Sequence, residues 1–181
     1  MKRLLTRFAP VAAAALLGMT ATLFFAAPAS ADRFGTRLDA TEPVRICPSS
    51  GCRSVGTAVS GSVARSYCFV DTYDLIFSEG APLRLGFVPY TSLQHESQFT
   101  SCDDIGFPTS TNGDVNVRDC AISSCIVIAR ISAGDTVRQF CRRPDAFGNI
   151  WIGIFNLDGQ RTGFANSTEL NGAPHVGLPS C

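Results

Sequence analysis

The cysteines are the residues of this chain whose type and spacing suit them to chemistry. Eight are present, and four of them stand in two similar stretches, "VRICPSSGC" (44–52) and "VRDCAISSC" (117–125). A structural zinc site needs closely spaced cysteine or histidine ligands that converge on one ion. Here four residues separate the cysteines of each pair, and both histidines, His95 and His175, lie far from these stretches in sequence. The spacing therefore favours four disulfides, with a zinc site or a free thiol as the alternatives.

The familiar catalytic templates are incomplete in this sequence. A cysteine nucleophile needs a free thiol and a histidine base, and paired cysteines leave no free thiol. The chain has no G-x-S-x-G, H-E-x-x-H, Walker or G-x-G-x-x-G motif. Asp103 and Asp104 are adjacent acids, but neighbouring side chains point apart in an extended chain, which favours a solvated segment. We therefore expect no catalytic residue, no cofactor, no metal and no enzymatic activity.

The first 31 residues have the pattern of a signal peptide. Three basic residues are followed by an uncharged apolar run (11–27), and the small residues Ala29, Ser30 and Ala31 form a cleavage site. An uncleaved membrane anchor is the alternative, because this run approaches the length needed to span a bilayer. We predict a mature chain that begins near Asp32, is exported, and has no stable membrane insertion after cleavage.

The charge of the mature chain bears on its partners. Removing residues 1–31 leaves 12 basic and 15 acidic residues, a net charge of −3. Nucleic-acid binders carry a basic surface that neutralises phosphates. This composition argues against a nucleic-acid partner.

The sequence contains an internal repeat. Cys47, Cys52 and Cys68 recur 73 positions later as Cys120, Cys125 and Cys141. Further along, "GFVPYTSL" (86–93) recurs as "GFANSTEL" (163–170) at an offset of 77, so the second copy is four residues longer between these landmarks. A further cysteine, Cys102 or Cys181, ends each copy. The predicted organisation is a signal peptide (1–31), a leader (32–41), repeat 1 (42–102), a linker (103–111) and repeat 2 (112–181).

The apolar pattern of each repeat indicates β-structure. Short apolar runs alternate with Gly, Pro, Ser, Asn and Asp every eight to twelve residues, as in small sandwiches and barrels. "CIVIARI" (125–131) and "IWIGIF" (150–155) are rich in β-branched or aromatic residues, and no mature stretch keeps a helical apolar face. The sequence predicts an all-β protein.

The ordered motifs resemble the bacterial SH3 (SH3b) family. "VNVRDCAISSCIVIARISAGDTVRQF", "NIWIGIF" and "TGFANSTEL" follow the family's order of strands and turns in the second copy. "PVRICPSSGCRSVGTAVSGSVARSY" does so in the first copy, although Tyr73 stands there where the second has Trp151. The resemblance implies two tandem SH3-like small β-barrels.

The resemblance also implies a disulfide pairing, because it places the first two cysteines of each copy in the loop after one strand. Two pairs would close tight loops and two would tie each tail to a strand: Cys47–Cys52, Cys120–Cys125, Cys68–Cys102 and Cys141–Cys181. Spacing alone does not fix connectivity, and Cys47–Cys68 is an alternative. Each barrel would then be stapled by two disulfides.

An aromatic ligand face is the site that the resemblance implies. Five residues are candidates for it: Tyr73, Tyr90, Phe147, Trp151 and Phe155. Arg45 and Arg118 are candidate carboxylate partners, or else each belongs to a structural ion pair shared by both copies. Strand alternation leaves Trp151 and Phe155 exposed if the isoleucines of "IWIGIF" form the core, and buried otherwise.

The function expected from these features is binding. SH3b modules serve as targeting modules for cell-wall peptides, and two copies fill the mature chain without an attached hydrolase. The leading hypothesis is a secreted, non-catalytic protein that recognises cell-wall (peptidoglycan) peptide or glycan. The alternative is a secreted interaction module or inhibitor whose partner is an extracellular protein. A third hypothesis gives one copy a structural duty only.

Overall fold

The computed structural model of the chain describes residues 34–79, 84–94 and 100–181. The predicted signal peptide (1–31) and His95 lie outside these ranges. The described residues form twelve strands and two short 3-10 turns. Within the same ranges, no helix has the length and apolar character needed to cross a membrane. The prediction of an all-β protein is confirmed.

The two repeats contain the same elements in the same order. Repeat 1 has β1 Phe34–Arg37, β2 Glu42–Arg45, β3 Ser54–Ala58, β4 Val63–Val70, β5 Tyr73–Ser78, β6 Arg84–Pro89 and a 3-10 turn Tyr90–Ser92. Repeat 2 has β7 Phe107–Ser110, β8 Val115–Arg118, β9 Val127–Ile131, β10 Thr136–Pro144, β11 Ile150–Asn156, β12 Arg161–Asn166 and a 3-10 turn Ser167–Glu169. The first three strands of each repeat match at the predicted offset of 73.

Each repeat forms one six-stranded antiparallel sheet. The strand orders are β1-β4-β5-β6-β2-β3 and β7-β10-β11-β12-β8-β9, so the topology is identical. The closed barrel expected from the resemblance is not observed, because no ladder joins β1 to β3 or β7 to β9 within the described ranges. In each repeat, an isolated bridge connects the residue after the first edge strand to the residue after the 3-10 turn. The bridge is Leu38–Leu93 in repeat 1 and Thr111–Leu170 in repeat 2.

The segments 32–41 and 103–111 are more than a leader and a linker. Each contains an edge strand. β1 pairs with β4, with Phe34 opposite Ser66, and β7 pairs with β10, with Phe107 opposite Gln139. Phe34 and Phe107 are also 73 positions apart. These strands have only four residues each, which is too short for apolar alternation to reveal them.

The repeated Gly-Phe motif fixes the packing between two strands. A Cβ atom at Gly86 would lie 2.5 Å from Val44 Cγ1 and 2.7 Å from the Arg45 carbonyl oxygen. The equivalent Gly163 would meet Val117 Cγ1 at 2.6 Å. A side chain at either position would therefore push β6 away from β2, or β12 away from β8, which is why both copies have glycine there.

Each sheet covers a small core of its own on one face. The core of repeat 1 contains Leu38, Val44, Ala58, Ala64, Ile76, Val88 and Leu93. The core of repeat 2 is larger and contains Phe107, Val115, Val117, Ile131, Val137, Ile152, Ile154, Ala165, Leu170 and Leu178. Most members of the first list have an apolar counterpart in the second, so the duplication preserves the inward face.

The other faces of the two sheets pack against each other and form a third, shared core. Phe77 lies edge-on to Phe164, with ring centroids 6.5 Å apart, and Phe87 lies edge-on to Phe155 at 5.6 Å. Strand alignment matches Phe77 with Phe155 and Phe87 with Phe164. The two contacts are therefore reciprocal, which is the property of an interface with twofold symmetry.

One further ring pair and one backbone contact complete this interface. Tyr67 and Phe140 are equivalent residues, 73 positions apart, and their ring centroids lie 5.7 Å apart. A contact between equivalent residues lies on the axis of the pseudo-twofold arrangement. The Thr162 amide also donates to the Ile46 carbonyl across the interface (3.0 Å). The two repeats thus pack as a dimer within one chain.

The four predicted disulfides are confirmed, with the predicted partners. The loop disulfides Cys47–Cys52 and Cys120–Cys125 join Cα atoms 5.8 and 5.7 Å apart. The long disulfides Cys68–Cys102 and Cys141–Cys181 both join Cα atoms 4.9 Å apart and lie in the shared core. No described cysteine is free.

Candidate functional site

The five aromatic residues predicted to bind ligand do not share one face. Trp151 and Phe155 are 3% and 1% exposed and belong to the shared core, against which the half-buried Tyr73 also packs. Tyr90 and Phe147 are exposed (47% and 87%), on the first 3-10 turn and on the hairpin between β10 and β11. The structure therefore does not bring the five residues together on one face, and Trp151 and Phe155 are not exposed.

The burial of Trp151 has a simple physical cause. Alternation along β11 does separate Ile152 and Ile154 from Trp151 and Phe155, as predicted. Ile152 and Ile154 enter the core of repeat 2, and for that case the sequence predicted that the opposite face of β11 would be exposed. Repeat 1 covers that face instead, so β11 is buried on both sides.

The repeated arginine braces the disulfide loop. Arg45 Nη1 donates to the Cys52 carbonyl at 2.7 Å, and Arg118 Nη1 donates to the Cys125 carbonyl at the same distance. The Val-Arg dipeptide and the two cysteines therefore act together: the disulfide closes the loop, and the arginine holds its end. The shared structural ion pair considered for these arginines is not observed among the described residues; in both copies the arginine bonds to a backbone carbonyl instead.

A polar groove opens beside the disulfide loop of repeat 2. Its volume is about 340 Å³. Seven residues line it: Arg118, Ser123, Asn149, Trp151, Asn166, Thr168 and Glu169. The set offers a guanidinium, two amides, two hydroxyls, a carboxylate and an indole edge. Such a lining can exchange hydrogen bonds with peptide amides or sugar hydroxyls.

One wall of the groove is the hairpin between β10 and β11. Asp145 accepts hydrogen bonds from the side chains of Asn149 (2.9 Å) and Trp151 (3.1 Å) and from the amides of Phe147 and Asn149. These bonds, led by that from the Asn149 side chain, lower the pKa of the Asp145 carboxyl to about 2. The ionised Asp145 therefore fixes two lining residues, Asn149 and Trp151, over the ordinary pH range.

The opposite wall is a capping box at the second 3-10 turn. Asn166 Oδ1 accepts from the Thr168 amide (3.0 Å) and hydroxyl (2.8 Å), while Glu169 Oε2 accepts from the Asn166 amide (3.3 Å). A capping box holds both partners in one arrangement. With Arg118 bound to Cys125, an intramolecular hydrogen bond fixes every lining side chain except the exposed Ser123.

Repeat 1 lacks both walls. Its first 3-10 turn begins after Pro89, which makes no side-chain cap, where repeat 2 has Asn166. Its hairpin between β4 and β5 has only Asp71 and Thr72 between the strands. The equivalent hairpin of repeat 2, between β10 and β11, is longer and forms the wall that holds Asn149. This insertion is visible in the sequence as the change of offset from 73 to 77, but the wall that it builds is visible only in the fold.

Two other groups have the residue types of a functional site. Asp119, Cys120 and Cys125 place three potential metal ligand atoms within 4.8 Å of one another, but both cysteines are in a disulfide and offer no thiolate. His175, in the tail of repeat 2, is half-buried and stacks on Phe107 with ring centroids 3.8 Å apart. Neither group lines the groove.

A buried carboxylate lies in repeat 1, away from the groove. Asp74 on β5 is fully buried, at the position that Ile152 occupies in repeat 2. Burial raises the pKa of the Asp74 carboxyl to about 7. This residue therefore makes the stability of repeat 1 depend on pH.

Comparison with known proteins finds only weak structural likenesses. No family model matches the chain. No curated protein matches it either. Solved structures that match include NlpC2 from Trichomonas vaginalis (14% identity, TM-score 0.32, 78% of this chain and 48% of that one) and NlpC1 from the same organism (15%, 0.32, 85% and 51%). The chain spans about half the length of these two proteins. At this TM-score the likeness carries no argument about function.

Proposed function

We propose that the protein is an exported, non-catalytic binding protein built from two divergent SH3-like modules, and that it recognises a cell-wall (peptidoglycan) peptide or glycan. The order of motifs and the identical strand order of both repeats support the SH3-like assignment. Four disulfides support folding in an oxidising environment, as outside the cell. In this proposal repeat 2 binds and repeat 1 serves as its packing partner.

The polar groove of repeat 2 is the observation that carries this proposal. Its lining side chains are already held in place by the hairpin, the capping box and the disulfide loop. Side chains ordered before binding lose less entropy when the ligand arrives. Amide, hydroxyl and guanidinium groups in fixed positions suit a ligand rich in peptide bonds and hydroxyls, as wall polymers are.

The test is co-sedimentation of the oxidised protein, from Asp32 onwards, with purified peptidoglycan. Ser123→Trp places a large ring in the groove from an exposed position whose side chain makes no hydrogen bond to a described residue. Ser50→Trp is the matched control, because Ser50 is the equivalent exposed residue of the disulfide loop in repeat 1. The wild type and the control should sediment, and Ser123→Trp should stay soluble. Wild-type protein that stays soluble would refute wall recognition, and retention of Ser123→Trp would refute the groove.

A protein partner is the second candidate, and one observation favours it. Three apolar side chains at and after the disulfide loop of repeat 2 are exposed: Ile122, Ile126 and Val127. Clustered exposed apolar residues are typical of protein contact surfaces. If the wild type does not bind peptidoglycan, affinity capture from secreted proteins should yield one partner that an Ile126→Asp variant loses. Capture of that partner by both forms would refute this surface.

A further inference from the structure

A second cleft lies between the two repeats and shares no lining residue with the polar groove. Its volume is about 340 Å³, and its lining combines aromatic and aliphatic side chains with two arginines. Phe77 and Phe164 belong to the shared core beneath it, and Ala121 and Ile122 come from the disulfide loop of repeat 2. The arginines are Arg84 on β6 and Arg143 on β10. No acidic residue is among the described residues that line the cleft.

The two arginines have few partners for their charge. The one ion pair among the described residues joins Arg65 and Glu79, so neither lining arginine has an acidic partner there. Arg84 Nε is buried without a hydrogen-bond partner in the described part of the chain, although Arg84 Nη1 reaches the Asp119 carbonyl at 3.4 Å. A buried guanidinium N–H without an acceptor is costly, and an incoming anion would satisfy it.

The position of Arg84 is fixed by its surroundings. A Cβ atom at Gly56 would lie 3.0 Å from Arg84 Cγ and 3.1 Å from Arg84 Nε, so the absence of a side chain on β3 leaves room for the arginine. In repeat 2 the residue equivalent to Gly56 is Ala129. The arginine equivalent to Arg84, Arg161, is exposed. Arg84 is thus held in the cleft by a glycine that only repeat 1 has.

The pseudo-twofold arrangement is broken at this cleft. On the opposite side of the axis, the Thr162 amide donates directly to the Ile46 carbonyl (3.0 Å) and holds the repeats together. The equivalent carbonyl, that of Asp119, accepts instead from the Arg84 guanidinium. The residue equivalent to Arg143 on that opposite side is Val70. One side of the interface is therefore bonded through the backbone, and the other holds the cleft with two cations.

We propose that this inter-repeat cleft binds the C-terminal carboxylate of a peptide whose last side chain is apolar. The carboxylate would accept hydrogen bonds from Arg84 and Arg143, and the apolar side chain would pack over Phe77 and Phe164. Arginine is suited to carboxylates because its planar N–H groups match both oxygens. The inference does not depend on wall binding by the polar groove.

The test compares N-acetyl-alanyl-leucine with its C-terminal amide by NMR titration of the full oxidised protein. The free acid at millimolar concentration should shift the amide signals of Ala121 and Phe164, and the amide form should not. Arg84→Gln and Arg143→Gln should each weaken binding by about tenfold, since each removes a charged hydrogen bond. Arg161→Gln, the exposed equivalent of Arg84, should bind as the wild type does.

Three results would overturn the proposal. They are equal binding of the acid and the amide, an equal loss in Arg161→Gln, and no shift with either peptide. Arg143 is half-buried, and its side chain makes no hydrogen bond to a described residue, so its variant remains informative if Arg84→Gln fails to fold. The groove and the cleft share no lining residue, so Ser123→Trp tests the groove and Arg143→Gln tests the cleft, and the two proposals can fail separately.

Discussion

The two loop disulfides offer a matched test of whether the loop serves binding or stability. Cys47–Cys52 and Cys120–Cys125 have the same sequence separation of 5 and the same arginine brace. Removing either by paired Cys→Ala substitutions should cost about 2 kcal/mol of unfolding free energy, against about 4 kcal/mol for the long disulfides. The cost for stability should therefore be alike in both repeats.

The effect on binding should differ between the repeats. Only the loop of repeat 2 carries lining residues of the polar groove, Arg118 and Ser123. Of these two, only Arg118 is held in place by the intact loop. Ordering this one side chain on binding costs about 1 kcal/mol, which is roughly a fivefold loss of affinity. Urea unfolding and peptidoglycan co-sedimentation of both double variants measure the two quantities. Equal loss of binding in the two variants, or none in the Cys120/Cys125 variant, would refute the role of this loop in preorganising the groove.

Three further predictions concern the core and the charges. Burial raises the pKa of the Asp74 carboxyl in the folded protein from 3.8 to about 7. As pH rises between these values, the free energy of unfolding should therefore fall by about 4 kcal/mol relative to that of Asp74→Asn. Urea unfolding of both proteins measures this difference. Phe87→Ala in repeat 1 should lower the unfolding free energy reported by Trp151 fluorescence in repeat 2 by about 3–5 kcal/mol, because Phe87 lies in the shared core. Asp145 keeps its charge down to about pH 2, so Trp151 emission should stay constant on acidification until that pH, while Asp145→Ala should change it at neutral pH.

Each of these predictions has a contradicting outcome. Parallel pH profiles of the wild type and Asp74→Asn would show that the Asp74 carboxyl keeps an ordinary pKa. An unchanged Trp151 transition in Phe87→Ala would show that the repeats unfold independently. A change in Trp151 emission near pH 4 in the wild type would show that Asp145 titrates normally and does not hold the indole.

The duplication was readable from the sequence because it repeats residues that local geometry requires. The cysteines, the arginine before them and the Gly-Phe motif each have a contact that only that residue type satisfies. Gly86 and Gly163 leave no room for a Cβ, and Arg45 and Arg118 hold the loop ends. Such residues keep their spacing in both copies, so the repeat could be recognised. The disulfide pairing followed from the resemblance to the SH3b family, because spacing alone does not fix connectivity.

The groove and the shared core could not be predicted in the same way. Both faces of β11 are apolar and buried, one by the core of repeat 2 and the other by repeat 1. Alternation of residues along the strand does not reveal that a second sheet of the same chain covers a face. The groove depends on a hairpin insertion and on the Asn166–Glu169 cap, whose positions become neighbours only after folding. The four-residue edge strands β1 and β7 were missed because their pairing partners lie about 30 residues away.

The central claim is that repeat 2 binds a wall component in its polar groove while repeat 1 supports it. NMR titration of the ¹⁵N-labelled, oxidised protein with soluble peptidoglycan fragments tests this claim most directly. The account predicts that backbone amide signals of Asn149, Asn166 and Thr168 shift, and that those of Tyr73 and Thr91, the repeat 1 counterparts of Trp151 and Thr168, do not. Shifts centred on repeat 1, equal shifts in both repeats, or no shift at all would contradict it.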